Sequence, residues 1–127
     1  PSNVVDLGPD AFKNCSDLVN VVLPESLVYI QDGTFQGCYS LKSITIPNGV
    51  IRIGCWVFAG CDNLEKVILP DSLDPFLIDY HAFDKCSNLQ TIEIPANWKL
   101  DLNNLPFDKK LIKRMGASKE INKMQIF

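Results

Sequence analysis

Four residue types recur in fixed order along this chain, and that recurrence limits what it can fold into. Phe stands at 12, 35, 58 and 83, Cys at 15, 38, 61 and 86, Leu at 18, 41, 64 and 89, and Pro at 24, 47, 70 and 95. The offsets agree within every copy, and the copies lie 23, 23 and 25 residues apart. Sixteen matches in register are not chance. A fixed period of this length marks a solenoid, in which each unit buries its apolar face against its neighbours.

One copy, Cys38 to Pro47, shows how a coil is written. The spacing of three between Phe and Cys suits a single helical turn with its apolar side inward. Leu41, Ile44 and Ile46 then point in, and the closing Ile-Thr-Ile alternates with the period of a strand. Pro47 ends the strand because it cannot donate to a ladder. Leu18, Val21 and Leu23 do the same in the first coil, Leu64, Val67 and Leu69 in the third, and Leu89, Ile92 and Ile94 in the fourth. A second short extended run follows each Pro: Leu27 to Ile30, then Val50 to Ile53 after the Asn48-Gly49 turn, with Val4 and Leu7 aligned before them. The third coil is two residues longer, and the extra length falls in Asp74-Pro75-Phe76-Leu77-Ile78-Asp79-Tyr80, where a bulge at the edge is expected.

The period stops after Pro95. Residues 1–95 carry five Lys or Arg against twelve Asp or Glu, while residues 96–127 carry seven against three. The net charge thus passes from -7 to +4 where the repeat ends. The expected division is an array of about four coils over 1–95 and a C-terminal cap and tail over 96–127. Asn97 to Leu102 reads as one degenerate strand. Asn103 and Asn104 ahead of Pro106 fit a helix start, Leu105, Leu111, Ile112 and Met115 suit one helical face, and Gly116 fits the stop. Residues 117–127 would add an edge strand or trail. The fold class expected is an α/β-type repeat solenoid of mostly short parallel strands with a C-terminal helical cap. The chain opens at Pro1, eleven residues before Phe12, just as Pro24 and Pro47 precede the next Phe. It therefore reads as a piece of a longer array.

Apolar residues at 46% and charged ones at 21% describe a globular chain, and no apolar run approaches a membrane span. The four phased cysteines stack in one direction, whereas a disulfide needs converging Cβ vectors, so they read as small buried apolar side chains. No Cys-x-x-Cys or Cys/His spacing suggests zinc, and no cofactor motif is present. Cys55 lies off the phase, as a thiol expected to be partly exposed.

The pattern Ala/Thr-Phe-x-x-Cys-x-x-Leu-x-x-Ile/Val-x-Ile/Leu-Pro resembles the BspA-like, or Treponema pallidum-type, leucine-rich repeat over residues 1–95. The resemblance implies a right-handed coil with a parallel sheet on its concave face and a second run of short strands. It implies a bacterial cell-surface or secreted protein that adheres to, or binds, other proteins. It brings no catalytic residue, since its motif positions are all structural. Gln31 and Leu77 depart from it, standing where Gly usually follows the Ile.

His81 lies beside Asp79 and Asp84, and a Ser/His/Asp site with Ser72 or Ser87 is conceivable; a surface His ahead of a buried Phe83 is the simpler reading. Asn14-Cys15-Ser16 matches a glycosylation sequon, but ten Asn and eleven Ser or Thr produce about one such match by chance, so it decides nothing. The basic tail lacks the aromatic interleaving of a single-strand nucleic-acid binder. What remains is a surface. Residues flanking the inward Ile or Val form two columns, Asn20, Ser43, Lys66 and Thr91 beside Val22, Thr45, Ile68 and Glu93. They vary while the inward positions do not, as in a recognition surface and in an unconstrained solvent face alike. Only Lys66 is basic there, so a protein or peptide partner fits better than a polyanion. The function expected is non-catalytic protein binding through this face; a structural spacer and an intracellular eukaryotic scaffold are the alternatives.

Overall fold

The computed structural model describes residues 6–100 and 105–115. Among these residues are seven short strands: β1 (Asp6–Leu7), β2 (Tyr29–Ile30), β3 (Ser43–Thr45), β4 (Arg52–Ile53), β5 (Lys66–Ile68), β6 (Thr91–Pro95) and β7 (Ile112–Met115). They form two parallel sheets on different sides of the coil. The smaller runs β1-β2-β4 and is prolonged by a bridge from Ile53 to Ile78; the larger runs β3-β5-β6-β7. Strands this short follow from the period, because each coil must turn several corners in about 23 residues.

A third ladder joins the turns. The backbone N–H groups of Phe12, Phe35 and Phe58 donate to Thr34, Val57 and Ala82 of the next coil, at 2.8 to 3.0 Å. Those of Asn14, Gly37 and Gly60 donate to Gln36, Ala59 and Asp84, at 2.7 to 2.9 Å. Within each turn the Cys N–H returns to the Phe carbonyl three residues back, so the turn is tighter than an α-helix. Every side of the coil thus satisfies part of its backbone on its neighbour.

The repeated apolar positions fill the interior. Phe35, Phe58, Leu41, Leu64, Val67 and Ile92 are fully buried. Phe12, Phe35, Phe58 and Phe83 stack as a continuous ladder, with centroids 5.5, 5.7 and 5.4 Å apart. The phased cysteines do more than pack. Cys38, Cys61 and Cys86 donate their thiols to the carbonyls of Phe12, Phe35 and Phe58, one coil back, at 3.2, 3.2 and 3.0 Å. All five cysteines are free; Cys38 and Cys61 are buried, Cys86 is half-buried and Cys15 is exposed.

Four expectations need correction. Residues 20–22 form no strand: among the described residues a neighbouring coil lies on one side of them alone, and Val22 is 95% exposed. The C-terminal helical cap is replaced, over the described residues, by a single 3-10 turn at Lys109–Leu111 followed by β7. Asp108 caps that turn by accepting from the Lys110 N–H at 3.0 Å. Leu111, Ile112 and Met115 fit a turn and strand as well as a helix, and only the strand satisfies the open edge of β6. Residues 96–100 form a turn and an irregular stretch rather than a strand; residues 101–104 lie outside those described, as does Gly116. Finally, Ile78 takes the register of Ile30 and Ile53, so Asp79, not Leu77, stands where Gly54 does. The two extra residues are absorbed before Ile78 in a 3-10 turn, Pro75–Leu77, capped by Asp74.

Candidate functional site

The larger sheet presents the expected columns in cross-strand register. Ser43, Lys66 and Thr91 stand side by side, as do Thr45, Ile68 and Glu93. Between them Ile44, Val67 and Ile92 point into the core, which turns both columns outward. Ser43, Thr45 and Lys66 are exposed; Ile68 and Thr91 are half-buried. Asn20 and Val22 are exposed too, but lie outside the paired strands. Six of the eight candidates are therefore brought together on one surface.

Glu93 departs from its column by being only 9% exposed. Its carboxylate lies 3.1 Å from Lys66 Nζ and 3.7 Å from Lys113 Nζ. Two cations on one acid give the cluster a net positive charge, since among the described residues no second carboxylate pairs with either Lys. Lys113 enters through β7, where it faces Glu93 in register, so the second column continues as Thr45, Ile68, Glu93, Lys113. The sequence reading missed Lys113 because it assigned that residue to a helix. The neighbouring Arg114 is spent on structure, donating to the Trp98 and Ala96 carbonyls at 2.7 and 3.2 Å.

The histidine cluster takes another arrangement. His81 Nδ1 lies 2.8 Å from Asp84 Oδ2, and Asp79 Oδ1 accepts from the His81 backbone N–H at 2.8 Å. Asp79 also accepts from the Cys55 thiol at 3.2 Å, a bond that raises the Cys55 pKa. The Ser72 hydroxyl donates to the Val50 carbonyl and accepts from the Gly49 N–H, which commits it to the coil before its own. Among the described residues no group of three or more His, Cys, Asp or Glu could hold a metal, and no helix is long and apolar enough to cross a membrane.

Comparison with known proteins agrees with this geometry. Residues 1–125 match the model of the BspA type leucine rich repeat region, in six copies. A leucine rich cell surface protein from Faecalibacterium prausnitzii is 30% identical with a TM-score of 0.68, over 94% of this chain and 26% of that one. A leucine-rich repeat protein from Bacteroides ovatus is 38% identical with a TM-score of 0.54, over 78% of this chain and 31% of that one. The Treponema pallidum leucine-rich repeat protein is 26% identical with a TM-score of 0.64, over 91% of this chain and 63% of that one. The chain thus spans about a quarter to two thirds of the length of these relatives. No curated protein matches it. The repeat, the stacked parallel coil and the family match converge: the chain belongs to the BspA-type leucine-rich repeat family.

Proposed function

We propose that this chain is a non-catalytic protein-binding module of a bacterial cell-surface or secreted protein, and that it binds through the outer face of its larger sheet. The observation that carries the reading is the pair of outward columns on a four-stranded sheet. Exposed small polar groups at Ser43 and Thr45, an apolar patch at Ile68 and a fixed positive charge at Lys66 and Lys113 suit a protein surface of mixed character with an acidic element. The cell-surface setting is supported by the similarity to the Faecalibacterium protein.

The test is binding to a panel of immobilised extracellular-matrix proteins. A Thr45→Arg, Lys66→Ala double variant should lose at least tenfold in affinity for any matrix protein the parent binds, while its melting temperature falls only by the few degrees that the lost Lys66–Glu93 ion pair accounts for. Binding that survives both substitutions would place the contact elsewhere. If the parent binds no member of the panel, the spacer reading takes its place.

A further inference from the structure

A second surface lies along the turns, away from the larger sheet, and its shape follows from the repeat. The residue two before each Phe forms a column: Asp10, Gly33, Trp56, His81. The backbone at the first three is left-handed, with φ of 59°, 68° and 56°. Glycine adopts that conformation freely, Asp tolerates it, and a bulky aromatic residue there is a strained exception. Trp56 is nonetheless 48% exposed, so burial does not compensate the strain. Its indole stacks on His81 at 6.2 Å, whereas its other neighbour in the column is Gly33, over which the Asp10 carboxylate lies. Among the described residues no second aromatic ring stacks on the indole, which lines a cleft.

A second column, the residue after next from each Phe, reads Asn14, Gly37, Gly60, Lys85. Two consecutive glycines leave the middle of this column without side chains. The result is an open cleft of about 350 Å³ lined by Gly37, Gly60, Trp56, Tyr39, Asp84 and Lys85, with the Asn14 amide folded over Gly37 and Gln36 also at the lining. Tyr39 is 48% exposed, like Trp56. The lining thus combines two exposed aromatic rings with two amides, one carboxylate and one ammonium. The single acid and single base cancel, which disfavours a polyanion or polycation.

We infer that this turn-side cleft binds a neutral oligosaccharide, with a pyranose ring laid on the Trp56 indole. A pyranose with equatorial hydroxyls has a flat face of C–H groups carrying partial positive charge, and the face of an aromatic ring carries partial negative charge. Its rim carries hydroxyls that both donate and accept, and the planar ends of Asn14 and Gln36 offer both roles at once. Asp84 supplies a further acceptor and Lys85 a donor. Strain held at an exposed residue points to a role in function rather than in stability.

The test is titration of the full chain with cellotriose and with chitotriose, read from the two indole N–H signals in nitrogen-edited NMR spectra. A saturable shift of the Trp56 signal is expected, with a Kd of about 1 mM for at least one sugar, as befits an open cleft. Trp56→Gly, which restores the residue found at position 33, should weaken binding at least tenfold while raising the melting temperature by about 4 °C. The Thr45→Arg, Lys66→Ala variant should bind the sugar as the parent does, which separates this cleft from the sheet face. Absence of a shift with either sugar at 20-fold the expected Kd, a shift that persists in Trp56→Gly, or loss of binding in the sheet-face variant would each overturn the inference.

Discussion

A thiol bonded to a carbonyl one coil back is the smallest unit that couples neighbouring repeats. The Phe35 carbonyl already accepts from the Cys38 N–H, so Cys61 fills its second lone pair at 3.2 Å. Cysteine suits the position because it is small and apolar enough to bury, yet carries a weak donor. Burial raises the thiol pKa at Cys38, further at Cys61, and at Cys86 to about 12, from an ordinary 9.0. Because the folded pKa lies above the unfolded one, these groups contribute their full stabilisation below pH 9.0 and lose it as pH rises through about 12. Urea unfolding of the parent should therefore give constant stability from neutral pH to about 9 and a decline above it. A Cys61→Ala, Cys86→Ala variant should be weaker at neutral pH by about 3 kcal/mol, from lost volume and two hydrogen bonds. Its alkaline decline should be shallower than the parent's. Parallel declines would show that the thiols do not carry the effect.

Strand β6 shows how far an element can be read in advance. Its inward Ile92 and Ile94 were legible from period-two alternation, and both are fully buried. The state of Glu93 between them was not, because it depends on a neighbour the motif does not announce. Phe107 follows Phe83 by 24 residues, and its ring meets Phe83 edge-on at 5.9 Å, extending the aromatic ladder. Yet Ile112 pairs with Ile92 only five residues after Phe107, where Ile44, Val67 and Ile92 stand nine after theirs. The fifth turn is four residues shorter, and its Cys and Leu are gone. That deletion hid β7, and with it Lys113. The paired strand predicts a measurable electrostatic term: Glu93→Gln should cost about 1 kcal/mol in low salt, since the Lys66 and Lys113 side chains are 46% and 65% exposed and screened. The difference from the parent should shrink in 1 M salt. A salt-independent difference would assign the cost to packing of the buried stem instead.

Stacked coils make a molecule whose stability is a sum over neighbours, so its ends matter more than its middle. The parallel sheet leaves β6 with a row of backbone groups that only another strand can satisfy, and β7 supplies it over four registered pairs. Around that strand the half-buried Leu111, Ile112 and Phe107 and the buried Trp98 pack on the fourth coil. Among the described residues the cover at the other end is thinner: β1 contributes two residues and a half-buried Leu7. The two ends therefore predict unequal losses. Removing residues 96–127 strips at least five core-packing apolar side chains, the buried Trp98 and the half-buried Leu100, Phe107, Leu111 and Ile112, worth about 1 kcal/mol or more each, and the ladder with them, for a total of about 5 kcal/mol or more. That approaches the whole stability of a small domain, so the shortened chain should lose its cooperative thermal transition or self-associate along the bared β6 edge. Removing residues 1–10 should lower the melting temperature by only a few degrees, about 1 kcal/mol. Circular dichroism melts of the two truncations decide it: equal losses would mean that residues 96–127 contribute no more to holding the stack together than the short strand at its opposite end.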